Sequence, residues 1–358
     1  MKIVFFCRRF WPLIGGVEKH VLEISKRLIE KGHKVTVITE WGKDDGGFEG
    51  FGEYEGIKIY RIPITTNEKL KKFQIWKWLW KNRILIKEAD IVHCHDVFYW
   101  YLPFKFLYPK KKVFTTFHGY EGSEPPKWNQ ILSHKMAGWL SNGSIAIGDF
   151  HQKWYKVKSE VVSYGAVESK GFGGNGGFEG SGRRKRYNFC FVGRLAKDTG
   201  IMIYLKALKI LKERGEAYCL VVCGDGPQMS EAVEFSKKNK LDAVFKGFVD
   251  DVEKYINNSK FIFVSRYLGI LEALLAKKLI FAVYDSEIKK DYLILAPFAS
   301  WIIIEKDPVA LANKISYFEN RPGKSTNNIQ KGFAWVKQQT WDKLTDKYFE
   351  LWGKSKFH

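Results

Sequence analysis

No run of eighteen or more apolar residues exists in this chain, so no helix of bilayer-spanning length is expected. The amino terminus, MKIVFFCRRFWP, turns polar too soon for a secretory signal and reads as a first strand. Cysteine is scarce and odd in number: Cys7, Cys94, Cys190, Cys219 and Cys223 sit in or beside apolar, strand-like runs, without the spacing of a zinc site. Reduced, buried thiols in a cytoplasmic protein are the plain reading. Acid is short as well: 39 Asp and Glu face 59 Lys and Arg, a formal net charge of +20. Such an excess implies an anionic partner, which could be nucleic acid, acidic lipid or a phosphorylated substrate. No Asp-x-Asp stands between a strand and a loop to hold a metal.

What is present is ordinary for a globular protein: 45% hydrophobic and 27% charged residues over a length of 358, enough for two domains. Lys2 to Cys7 is an apolar run; after a loop, Gly15-Gly16 opens a helix over 17–31, Gly32 caps it, and a second strand covers 34–39. That is a βαβ unit with a glycine pair at the helix amino terminus. Strands near 57–62, 91–95, 113–117, 144–147 and 161–164 continue the pattern, and their near-continuous apolar character argues a parallel, doubly wound sheet. From Gly171 to Gly182, seven of twelve residues are glycine, the composition of a flexible connector. A second α/β series follows: strands near 187–192, 218–223, 243–248, 261–265, 279–284 and 301–304, helices over 200–213, 229–238, 251–257 and 269–277, and a last helix with Asp307-Pro308 as cap and first turn. The terminal helix, Trp341 to Trp352, puts Trp341, Leu344, Tyr348 and Leu351 on one face that must be buried.

The boundaries expected are an amino-terminal domain over 1–168 completed by 335–358, a linker over 169–184, and a carboxy-terminal domain over 185–334. The stretch Tyr187 to Gly200, YNFCFVGRLAKDTG, combines a strand, a glycine turn, an arginine at the strand's carboxyl end, and a helix beginning at about Thr199. Ligands of open parallel sheets bind at those ends, and Arg194 there can fork onto a phosphate. Gly15-Gly16 fits a tight strand-to-helix turn, and equally a place where backbone N–H groups approach phosphate oxygens. Lys69 to Lys87, KLKKFQIWKWLWKNRILIK, holds seven basic residues, four aromatics and no acid. It reads as a segment docking on an anionic membrane, with a nucleic-acid groove or an ordinary packed helix as the other readings.

Six ordered stretches resemble the family 4 retaining glycosyltransferases of the GT-B fold: Gly15-Gly16-Val17-Glu18-Lys19-His20-Val21, Thr116-Phe117-His118-Gly119, Val192-Gly193-Arg194-Leu195, Gly224-Asp225-Gly226-Pro227, Gly247-Phe248-Val249 and Leu271-Glu272-Ala273. The resemblance implies two Rossmann-like, doubly wound α/β domains facing across a cleft, and transfer of a sugar from a nucleotide-diphosphate sugar to a lipid-linked or glycan acceptor, retaining and metal-independent. It implies catalytic roles for His118, at the donor sugar, and Arg194, at the diphosphate, with Gly15 and Gly16 on phosphate. Glu272 would accept the ribose hydroxyls, or else be a first-turn carboxylate on a helix dipole. Gly247 and Phe248 would lie against the base, and Asp225 would shape a turn. Two departures stand out. The lysine usual five residues after the arginine is Thr199 here, leaving Lys197 as stand-in or as a solvated side chain. The usual first glutamate, eight before Glu272, is Val264; the loop is shortened, with Gly269 and Ile270 offering backbone N–H groups to sugar and phosphate. No cofactor and no nucleic-acid partner is expected, and the location is cytoplasmic, peripheral at the inner face of the cell membrane through 69–87. The competing classes are a sugar-nucleotide epimerase of the same plan and a basic nucleic-acid-binding protein.

Overall fold

The computed structural model describes residues 1–13, 15–41, 50–64, 68–120, 124–168 and 187–353; the expected linker lies outside them. The chain divides into two compact units, the first taking Met1–Tyr120, Pro126–Gly165 and the chain from Trp341 onward, the second Glu121–Pro125 and Ala166–Thr340.

In the first unit the strands are β1 (Lys2–Cys7), β2 (Lys34–Trp41), β3 (Phe51–Tyr54), β4 (Ile57–Pro63), β5 (Ile91–His95), β6 (Lys112–Phe117), β7 (Ser144–Ile147) and β8 (Val161–Ser163). The helices are α1 (Gly16–Glu30), α2 (Glu68–Lys81), α3 (Arg83–Glu88), α4 (Phe98–Leu107), α5 (Trp128–Leu140) and α6 (Phe150–Tyr155). The sheet order is β3-β4-β2-β1-β5-β6-β7-β8, with β3 antiparallel to β4 and the remaining pairs parallel. Central strands are buried on both faces, as in Phe5, Val37, Val92 and Phe114, which is why they read as unbroken apolar runs.

In the second unit the strands are β9 (Tyr187–Val192), β10 (Cys219–Cys223), β11 (Asp242–Gly247), β12 (Ser259–Phe263), β13 (Leu279–Val283) and β14 (Ile303–Glu305). Its helices are α7 (Ile201–Glu213), α8 (Met229–Lys238), α9 (Glu253–Asn257), α10 (Tyr267–Leu275), α11 (Glu287–Ile294), α12 (Pro308–Asn320) and α13 (Thr326–Val336). All neighbours are parallel in the order β11-β10-β9-β12-β13-β14, so both units are Rossmann-like. The strand order reverses between β9 and β12, and in the first unit between β1 and β5. Each reversal opens a crevice at the carboxyl ends of its strands.

The last helix, α14 (Trp341–Gly353), packs against α1 and buries Trp341, Leu344, Tyr348, Leu351 and Trp352. Arg27 on α1 reaches Asp342 at 3.2 Å, and a Cβ on Gly143 would lie 2.7 Å from Leu351, so that glycine lets the helix seat. The return to the first unit falls at Trp341, since α13 stays with the second.

Candidate active site

In the second unit, β9 delivers the chain into Gly193, at φ 142°, and then Arg194. The turn is braced from the next strand. Gly193 N–H donates to the Cys223 carbonyl, Leu195 N–H to that of Asp225, and Gln228 N–H to that of Leu195. A Cβ on Gly224 would sit 1.9 Å from the Gly193 oxygen, and one on Gly226 2.5 Å from the Leu195 oxygen. The Gly-Asp-Gly-Pro stretch is therefore a buttress whose glycines let two loops touch; Asp225 shapes its turn by accepting from Gly226 N–H at 2.6 Å.

Arg194 is largely exposed, its side chain 64% accessible, and reaches Asp198 at 3.2 Å. Thr199, where the family resemblance would put lysine, is buried: its hydroxyl donates to the Arg194 carbonyl at 2.5 Å and accepts from Ala196 N–H at 3.2 Å. A short 3-10 turn, Lys197–Thr199, precedes α7, so the helix begins at Ile201, after Gly200 at φ 78°. Lys197 is exposed on that turn. The second cation at the crevice is Arg266, the cap residue of α10, which shares the Asp198 carboxylate with Arg194. Two guanidiniums from the ends of β9 and β12 thus meet one anion at the point where the strand order reverses.

Next to them, Lys289 is fully buried, donates to the Ser265 carbonyl, and lies 4.4 Å from the Tyr292 ring centre. Burial, helped by Arg266, holds its ammonium well below the usual lysine range. Both carboxylate oxygens of Asp285, just past β13, are buried without a hydrogen-bond partner. Glu272 lies sixth in α10 rather than at its start, and is buried at 7% exposure. A first-turn dipole role is thereby corrected: it sits beyond the first turn of the helix, where the dipole acts. Gly269 is in that turn, against Val264, but Ile270 N–H donates to the Arg266 carbonyl and offers nothing to a ligand. The Gly247 carbonyl accepts from Gly224 N–H at 2.7 Å, while Phe248, at the end of the edge strand, is exposed.

In the first unit, α1 starts at Gly16 with Gly15 as cap. Gly15 N–H is taken by the Glu18 carboxylate at 3.1 Å, whose pKa burial raises. Space beside Gly16 is open: a Cβ added there would meet nothing within 4 Å. The Gly15 N–H, engaged by Glu18, is thus not on offer to an anion. His118, just past β6, donates its backbone N–H to Asp96 at 2.8 Å, and its Nε2 lies 2.8 Å from His95 Nδ1. His20 of α1 completes a cluster: one ring nitrogen from each of His20, His95 and His118 lies within 4.8 Å of the others, close enough for one metal ion to be considered. Burial holds all three neutral, with His20 pushed down to about 3. The cluster was not anticipated from the sequence, although His93 and His95, two apart in a strand, share one face.

Along 69–87, Ile75, Leu79 and Ile86 face inward, and Lys71 is buried against Glu40 at 2.7 Å. Phe73 and Trp80 are 64% and 53% exposed, alongside Lys72, Lys77, Lys81, Arg83 and Lys87. No helix among the described residues is long and apolar enough to cross a membrane.

Residues 14–149 match the family model described as Glycosyltransferase Family 4, and residues 178–335 that of Glycosyl transferases group 1. The chain belongs to these glycosyltransferases. Among relatives, it is 24% identical to the phosphatidylinositol N-acetylglucosaminyltransferase GPI3 subunit of Saccharomyces cerevisiae over 262 residues, which is 67% of this chain and 56% of that protein. It is 24% identical over 251 residues to a GDP-mannose:cellobiosyl-diphosphopolyprenol alpha-mannosyltransferase of Xanthomonas oryzae, 65% of this chain and 62% of that one. The chain thus spans little more than half the length of the curated relatives it matches. Its fold is that of a glycosyltransferase from Rickettsia africae (TM-score 0.73, 18% identity, 98% of this chain and 97% of that one). It is equally that of WaaG, described as a glycosyltransferase involved in lipopolysaccharide biosynthesis (TM-score 0.67, 14% identity, 97% and 98% covered).

Proposed function

We propose that the protein is a hexosyltransferase that moves a sugar from a nucleotide-diphosphate sugar to a lipid-linked acceptor, with retention and without a metal. The observation that carries this is the convergence of Arg194 and Arg266 on the Asp198 carboxylate at the β9–β12 crevice. Asp198 stands in for an anion there, and a departing diphosphate would be gripped by the same two forks, whose charge stabilises the leaving group as it develops. Arg266 takes the part expected of Lys197. Glu272 would accept the ribose hydroxyls. Asp285, whose oxygens lack donors, is suited to sugar hydroxyls in place of the missing glutamate. Within the first unit, His118 at the carboxyl end of β6 is the candidate sugar contact. Metal-independence rests on the guanidinium pair performing the charge neutralisation.

A lipid-linked acceptor is supported by relatives named as a phosphatidylinositol N-acetylglucosaminyltransferase subunit and a cellobiosyl-diphosphopolyprenol mannosyltransferase. It agrees with the outward aromatic and basic residues of α2 and α3, suited to an anionic membrane surface. The test is incubation with UDP-, GDP- and ADP-sugars and a lipid extract. Release of nucleoside diphosphate that depends on the extract supports transfer. Isomerisation of the sugar without acceptor would establish an epimerase instead, and no reaction with any sugar would overturn the proposal.

A further inference from the structure

The first unit holds a hydrogen-bond chain that starts on the carboxy-terminal helix. Trp352 Nε1 lies 3.2 Å from His93 Nδ1; His93 Nε2 lies 2.7 Å from Thr116 Oγ1; Thr116 Oγ1 lies 3.0 Å from the Tyr348 hydroxyl; and that hydroxyl lies 2.8 Å from His20 Nε2. All five side chains are buried. Its direction follows from its first member, because an indole nitrogen only donates. His93 Nδ1 must therefore be bare, and neutral His93 carries its proton on Nε2, donating to Thr116. Thr116 then donates to Tyr348, and Tyr348 donates to His20. Run the other way, the Thr116 hydroxyl hydrogen would be buried with no acceptor in the chain, which costs about 1–3 kcal/mol. His20 is left with a bare Nε2 and its proton on Nδ1.

His118 is fixed from its other neighbour. His95 Nε2 is buried without a partner. A buried N–H left orphaned is rarer than an unfilled acceptor, so the bare nitrogen belongs there and the proton on Nδ1. His95 Nδ1–H therefore donates to His118 Nε2 across 2.8 Å, and partly exposed His118 keeps its own proton on Nδ1. The His20 ring stands edge-on to His118, at 89° with centroids 4.7 Å apart.

We propose that Tyr348 and Trp352 are positioning residues for His118: through His93 and Thr116 they pin the His20 proton on Nδ1 and fix the ring that stands edge-on against His118, while His95 holds His118 as an Nδ1–H donor. His118 then donates a hydrogen bond to a substrate oxygen and does not act as a base. Its substrate role rests on the transferase reading above; the proton arrangement does not. The same directions argue against a metal among the three rings. The bare nitrogens of His20 and His118 already accept from Tyr348 and His95.

The test uses the full chain labelled with 15N-histidine and long-range proton–nitrogen spectra near neutral pH. Nδ1–H tautomers at His20 and His118, with Nε2–H at His93, are expected. An Nε2–H tautomer at His20 or His118 overturns the proposal without any variant being made, and whether or not transfer is ever observed. In Tyr348→Phe the His20 nitrogens are expected to move toward a tautomer mixture, with kcat for transfer falling about tenfold and donor KM within about twofold; an unmoved His20 overturns the coupling. One equivalent of zinc is expected to leave all three spectra unchanged, and a joint shift of His20, His95 and His118 would mean a metal site instead.

Discussion

Acidification should unfold the first unit well before its carboxylates matter, because its buried histidines refuse the proton. Burial lowers His20 and His151 from 6.5 to about 3. In the unfolded chain they titrate near the ordinary value. A lowered folded pKa means that stability is complete above pH 6.5 and falls as the pH drops toward 3, where the folded form finally protonates too. Each ring removes about 1.4 kcal/mol per pH unit in that window, so from pH 6.5 to 4.5 the pair removes about 5 kcal/mol, comparable with the lower end of domain stabilities. His93, His95 and His118 are shifted the same way and steepen the fall. The assay is a urea titration at several pH values followed by tryptophan fluorescence, which buried Trp100, Trp341 and Trp352 report for this unit. His151→Leu should flatten the slope by about 1.4 kcal/mol per pH unit, since both ring nitrogens lack partners. A urea midpoint constant from about pH 7 to 5 would refute the reasoning.

Three further outcomes are expected. Arg266→Ala should weaken binding of nucleoside diphosphate by tenfold or more while Lys197→Ala changes it less than about twofold; the reverse ranking in calorimetry would return the second cation to Lys197. Gly224→Ala should lower stability by more than about 3 kcal/mol in thermal or urea unfolding, because its Cβ would collide with the Gly193 carbonyl at a φ of 143°. Replacing Lys72, Lys77 and Lys81 by Glu should abolish co-sedimentation with vesicles rich in anionic lipid at low salt, with circular dichroism unchanged; undiminished sedimentation would remove α2 from the membrane surface.

Much of the fold was legible because parallel strands buried on both faces leave unbroken apolar runs, and because Arg194 follows such a strand through a glycine. Strand β3 was not, since FGEY faces solvent and pairs only along one edge. Helix α13 hid behind Gly332, a poor helix former that is there because a Cβ would lie 2.6 Å from Leu274. Arg266 sat in a loop read for the glutamate it lacks, and its partner Asp198 is sixty-eight residues away in sequence. The histidine chain joins α1, β5, β6 and α14. No local pattern announces a contact such as Tyr348 to His20, across 328 positions. Tyr348 read correctly as a buried face, while the task of its hydroxyl could be seen only in three dimensions.

The proposed transfer depends above all on the crevice between β9 and β12 gripping a diphosphate. Its most direct measurement is calorimetric titration of the intact protein with UDP, GDP and ADP, beside Arg194→Ala. Saturable binding of at least one of them is predicted, with a loss of tenfold or more in the variant. Binding of none, or equal binding by the variant, would contradict it.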